Sequence, residues 1–143
     1  MSMDGLERER RWLQYTVAVL GIVPVTAGLA GALAGPAMVE NGATLSADSH
    51  FRYLSGLLFG IGLCFWSTIP NIEDQTRRFR LLTLLVLVGG LGRLFGLLLG
   101  TIPPLPMLAA LVMELVVTPA LCLWQTRIAN RYAAEPVATS LSK

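Results

Sequence analysis

The sequence predicts an all-α fold: a four-transmembrane-helix antiparallel bundle with the N-terminus and the C-terminus both cytoplasmic. Three observations predict it. Four long stretches almost free of charge alternate with short polar segments. Only 14% of the 143 residues are charged and 54% are hydrophobic, with a mean hydropathy of +0.62, whereas soluble domains carry about 25% charge. The arginines gather at every second gap between the stretches. So short a chain cannot hide this much apolar surface in its own core, which leaves lipid as the matching solvent.

Residues 1–11 form a charged cytoplasmic segment and residues 12–126 a single membrane domain. The first span is expected at 12–33. No charged residue occurs from Trp12 to Leu33, which exceeds the roughly 20 residues a bilayer crossing needs. Gly21, Pro24, Gly28 and Gly31 interrupt it, and Pro24 should kink the helix by freeing the carbonyl of Leu20. The run GALAGPA resembles a signal cleavage site. The apolar stretch is too long for a signal peptide, however, and Asp4, Glu7 and Glu9 spoil its charged start, so the span should be retained.

Residues 34–51 make the longest loop, where Ser46, Asp48 or Ser49 can cap the next helix. The second span is expected at 52–69, its apolar part running from Tyr53 to Ile69. A polar turn with Pro70, Glu73, Asp74, Arg77, Arg78 and Arg80 follows. The third span is expected at 80–100, a Pro-rich turn at Thr101–Pro106, and the fourth span at 105–126. Residues 127–143 form a polar cytoplasmic tail.

Orientation follows from the basic residues. With the N-terminus inside, Arg8, Arg10, Arg11, Arg77, Arg78, Arg80, Arg127, Arg131 and Lys143 are cytoplasmic, and Arg52 alone lies on the outer side. This is the asymmetry of a multi-pass protein of the inner, cytoplasmic membrane. Trp12, Trp66 and Trp124 fall at the inner boundary, where indole N–H groups settle among headgroups. The arginines mark segment ends and form no nucleic-acid face; they are compatible with anionic lipid headgroups. Cys64 and Cys122 make no CxxC pair and have no nearby His, so no metal site is expected. No nucleotide loop, haem motif or nucleophile elbow is visible, so no cofactor and no catalytic residue is assigned.

Arg93 and Glu114 are the informative residues, because a charge at the centre of a span costs about 2.5–3.5 kcal/mol. They lie at nearly equal distances from the turn around residue 103. Antiparallel helices of equal rise therefore bring them to one depth, about 10 Å below the outer end. A buried Arg93–Glu114 pair in the outer half of the bundle is expected. Gly56 and Gly60, and likewise Gly92, Gly96 and Gly100, are spaced for close helix packing. Glu114, Thr118, Cys122 and Gln125 share one helical face and should point inward. Pro119 frees the carbonyl of Leu115, which a Thr or Arg side chain could answer. His50 and Arg52, with Tyr53, stand at the outer mouth of the second span. The candidate polar pocket is thus Arg93, Glu114, Arg52, His50, Tyr53 and Thr118.

The run LGRLFGLLLGTIPPLPMLAALVMELVVTPALCLW and the earlier FRYLSGLLFGIGLCFW resemble the bacterial domain-of-unknown-function 4345 family, over roughly residues 12–127. The resemblance implies a four-helix protein of the bacterial inner membrane with no assigned activity. Its matching positions are Arg52, Tyr53, Gly56, Gly92, Arg93, Gly96, Pro103 or Pro104, and Glu114. The second helix departs from the family pattern in lacking an acidic residue in its Gly-rich stretch, which puts in doubt any chemistry needing a second carboxylate.

The leading functional expectation is a protein in contact with membrane lipid that binds a lipid or small amphipathic ligand, or an accessory subunit of a membrane complex. A homo-oligomer or a larger complex fits this reading, and nucleic acid does not. The alternative is a small oligomeric transporter using Glu114, against which Arg93 counts because a paired carboxylate is not free to carry ions. The third is a membrane isomerase-type enzyme using His50 and Glu114. The balance leans away from an enzyme.

Overall fold

Inside a bilayer a single segment must satisfy its own backbone amides, and a helix does so. The computed structural model describes residues 3–38, 44–100 and 105–141, which form helices and turns with no strand among them. The expected turn residues 101–104, Pro103 and Pro104 included, lie outside the described residues, as do 39–43 of the long loop and Lys143.

Helix α1 spans Met3–Ala34, with Asp4 favourably placed in its first turn. It runs on past Pro24. Nearby, the Thr26 hydroxyl donates to the carbonyl of Ile22 at 2.7 Å. The helix ends at Gly35, whose φ of +71° is a left-handed conformation that glycine adopts readily, and a short 3-10 turn, Gly35–Met38, follows. Helix α2 spans Leu45–Trp66, and its N-cap is Thr44, whose Oγ1 accepts from the amide of Ala47 at 3.3 Å. The expected caps Ser46, Asp48 and Ser49 instead lie within the first helical turns. Helix α3 spans Thr76–Leu99. The remainder is one helical stretch in three parts: α4 at Leu105–Val112, a π-helical turn at Met113–Val117, and α5 at Thr118–Leu141.

Three of these stretches, Asp4–Ala34, Thr76–Leu99 and Leu105–Ala134, are long and apolar enough to cross a membrane, and only 28%, 17% and 0% of their apolar windows is buried within the chain. Apolar side chains turned outward on such a scale mark a membrane protein. Helix α2 is not among the three. Asp48, His50 and Arg52 occupy its first two turns, so its apolar run begins only at Leu54. It also stops at Trp66, short of the expected Ile69, and residues 67–70 form a turn.

The chain forms two compact units, Gln14–Pro70 and Met1–Leu13 with Asn71–Lys143. In the first, α1 and α2 pair antiparallel through small residues. A Cβ on Gly28 would meet the Cα of Phe59 at 2.8 Å, one on Gly31 the Cβ of Ser55 at 3.0 Å, and one on Gly21 the indole of Trp66. One end is fastened by Gln14 Nε2 donating to the carbonyl of Ile69 at 2.7 Å and Trp66 Nε1 donating to that of Ala18 at 3.1 Å. The Trp66 N–H is therefore used inside the protein and not among headgroups, because Gly21 leaves room for the ring.

In the second unit the most buried residues are Leu6, Leu13, Ile72, Phe79, Leu82 and Ile128. Fully buried Gln125 donates through Nε2 to the carbonyl of Ile72 at 2.7 Å and to Thr76 Oγ1 at 3.0 Å. Ion pairs Arg10–Glu73 and Arg131–Glu9, each 2.7 Å, stand at the same end. Arg127 and Arg131 thus belong to a helix that continues to Leu141.

The glycines that pack are not those the spacing suggested. Within its unit, Gly56 or Gly60 would meet nothing within 4 Å of an added Cβ, and the same holds for Gly92 and Gly96 in theirs. Gly100 instead ends α3. The close approaches fall at Gly21, Gly28, Gly31, Gly62 and Gly90 within helices, and at Gly35 at the end of α1. Spacing marks every small-residue face, and the side chains opposite decide which one is used.

Candidate functional site

Arg93 sits in the last third of α3, and Glu114 is the second residue of the π-helical turn. The π turn has a local cause. Pro119 has no N–H and its ring crowds the carbonyl of Leu115 in a regular α-helix. The chain widens one turn upstream: both the N–H and the Oγ1 of Thr118 donate to the carbonyl of Met113, the latter at 2.8 Å. Such single π turns are frequent at functional sites. Across from it, Gly90 lets the hairpin close, since a Cβ there would lie 2.8 Å from the Cβ of Glu114.

The expected pair forms. Arg93 Nε donates to Glu114 Oε2 and Nη2 donates to Oε1, both at 3.0 Å. This is the bidentate fork that makes guanidinium–carboxylate pairs strong and directional. The expected burial does not hold, because the side chains remain 38% and 18% exposed. Gly89, Gly92 and Gly96 surround Arg93 on α3, and they have no side chains with which to cover a guanidinium. Arg93 Nη1 has no hydrogen-bond partner among the described residues.

The other candidates have different employment. Thr118 turns its hydroxyl to its own backbone and not toward a pocket. Of the expected polar face, Glu114 and Gln125 both reach residues of α3, and Cys122 is half-buried. Arg52 closes the end of α1: its Nη1 donates to the carbonyls of Ala32 at 3.0 Å and Leu33 at 2.7 Å, and its Nε pairs with Asp48 Oδ2 at 2.9 Å. Those carbonyls are orphans of the last helical turn, and a cation is a favourable partner for them. His50 is exposed, its Nδ1 3.1 Å from the carbonyl of Ser46, and Tyr53 is exposed on the same helix. Arg93, Glu114 and Thr118 belong to one compact unit, and His50, Arg52 and Tyr53 to the other.

Two participants escaped the sequence reading. Gly90 precedes Arg93 by one helical turn, so the i, i+3 rule places both toward the fourth span. The π turn is signalled by a proline one turn after an intramembrane carboxylate, since proline in such helices calls for 3-10 or π adjustment. Among the described residues no group of three His, Cys, Asp or Glu could hold a metal.

A family model described as "Domain of unknown function (DUF4345)" matches residues 12–125. No curated protein matches the chain, and no solved structure does.

Proposed function

The chain belongs to the DUF4345 family, and we propose that it is a four-pass membrane protein, both ends cytoplasmic, that binds a lipid or small amphipathic molecule at the open Arg93–Glu114 pair. The ion pairs at its Arg-rich end support the four crossings. Arg10 meets Glu73, and Glu9 meets Arg131, so residues 10, 73 and 131 share one side of the membrane. If α1 crosses, α2 must bring the chain back. The 22 residues of α2 are about 33 Å of helix, which reaches across if the polar first two turns stand in the outer headgroup region and the apolar Leu54–Trp66, about 20 Å long, fills the hydrocarbon. Its charge is softened because Arg52 and Asp48 neutralise each other. Positive residues concentrate on the shared side, which supports the cytoplasmic assignment and the inner membrane.

The observation that carries the binding reading is the exposure of the pair beside bare glycines. Hydrocarbon is a costly neighbour for unmet guanidinium N–H groups. An oxygen-bearing headgroup in the gap above Gly89, Gly92 and Gly96 would answer them while its apolar part lay along the exposed side chains of Leu85 and Val88, one turn before Gly89 and Gly92 on the same face. Mass spectrometry of molecules co-purifying with the full chain tests this. The Arg93→Leu/Glu114→Leu double variant is expected to lose a species that the unmodified protein retains. Replacing an ion pair by apolar residues is often neutral for stability, so the variant should stay folded. An unchanged set of co-purifying molecules would sink the binding role.

A further inference from the structure

A second polar surface lies at the other end of the unit formed by residues 1–13 and 71–143. The ion pairs Arg10–Glu73 and Arg131–Glu9 bring the first turns of α1, the turn before α3 and the later part of α5 to one level. Arg8 and Arg11 flank Arg10 on α1. Arg77, Arg78 and Arg80 follow Glu73 within two turns, and Arg127 lies one turn before Arg131. All six are exposed, and none forms an ion pair among the described residues. Meanwhile Glu9 and Glu73 are taken up by Arg131 and Arg10. The acids left at this end, among residues whose side chains are described, are Asp4, Glu7 and Asp74. Six arginines therefore face three carboxylates. The imbalance is sharpest at the start of α3, whose first turn holds no acid and whose N-cap Gln75 gives no side-chain hydrogen bond.

What adjoins this cationic edge is apolar. Leu81, Leu84 and Leu85 follow Arg80 directly and are all exposed, as is Trp12 next to Arg11. Positive charge bordering lipid-facing leucine fits a ligand with a phosphate at one end and acyl chains at the other. Guanidinium forks match phosphate oxygens in geometry as well as charge. We propose that the arginine edge at the start of α3, formed by Arg77, Arg78 and Arg80, is a docking surface for anionic phospholipid, the phosphodiester on the guanidinium groups and the chains along Leu81 and Leu84. This surface is separate from the Arg93–Glu114 site and does not depend on it.

The experiment compares phosphatidylglycerol with phosphatidylcholine of identical chains, each added to the full-length protein in a neutral detergent. Binding is read by native mass spectrometry and thermal unfolding. Phosphatidylglycerol is expected to bind preferentially and raise the unfolding temperature, less so as salt is added. In the Arg77→Gln/Arg78→Gln/Arg80→Gln variant its affinity should fall about a hundredfold, at roughly a fivefold loss for each arginine near the surface, with unfolding in detergent alone unchanged. Should that variant not fold, Arg77→Gln/Arg80→Gln is expected to give a smaller loss of the same preference. Equal binding of the two lipids, or a preference that survives in both variants, would overturn the proposal. So would inorganic phosphate alone reproducing the full stabilisation, which would mean a free anion is the ligand.

Discussion

Substituting Phe79 by alanine is expected to lower the stability of the protein by about 3–5 kcal/mol, the usual cost of deleting a fully buried aromatic ring. The Phe79 side chain has no exposed surface and shares the core of its unit with Leu6, Leu13, Ile72 and Ile128. That core stands at the Arg-rich end, beside charged residues and two ion pairs, the end nearest water in the proposed arrangement. The hydrophobic effect operates there at full strength, whereas for an outward leucine in the span it gives little, since lipid is as apolar as protein. Leu84→Ala, at an exposed position of the same helix, should therefore change stability by much less. Denaturant or thermal unfolding in detergent micelles distinguishes the two. Equal losses at both positions would mean that the core does not hold the unit together.

Removing one charge from the intramembrane pair should be nearly as damaging. Arg93→Leu strands Glu114, and Glu114→Leu strands Arg93, each at a cost approaching but below the roughly 2.5–3.5 kcal/mol of a charge at a helix centre, since Arg93 lies in the last third of α3. The double variant is expected to regain most of this, because it leaves no charge unpaired. A coupling energy close to the sum of the two single losses identifies the pair as a unit, and simple addition of the two losses would show that each side chain acts alone. The bidentate geometry at 3.0 Å is the basis for expecting strong coupling.

How these features stood in the sequence depended on their range. The helices were legible because a charge-free stretch has few other uses, and the meeting of Arg93 with Glu114 followed from two antiparallel helices of equal rise. Their exposure was not legible. It depends on what lies beside Arg93 in three dimensions: Gly92 and Gly96 were read as packing residues, yet they and Gly89 leave open space. Nor was the fate of Trp66 visible, since its partner is a backbone carbonyl, that of Ala18, and carbonyls carry no sequence signal. The pairs of Arg10 with Glu73 and Arg131 with Glu9 join segments far apart in the chain. In the sequence these residues are simply charges at segment ends. Arg52 reads as a pocket residue by position, yet it is taken up by the end of α1, a role that only the α1–α2 hairpin reveals.

Everything proposed for the membrane arrangement rests on α2 carrying the chain back across the bilayer, and site-directed labelling measures this directly. In a background with Cys64→Ser and Cys122→Ser, single cysteines are introduced as Arg8→Cys, Ser49→Cys or Arg78→Cys, and sealed vesicles are treated with a membrane-impermeant maleimide. The expected result is that Arg8→Cys and Arg78→Cys react from the same face and Ser49→Cys only from the opposite one. Reaction of Ser49→Cys and Arg78→Cys from one face would mean that α2 does not cross, and the four-pass arrangement would fall.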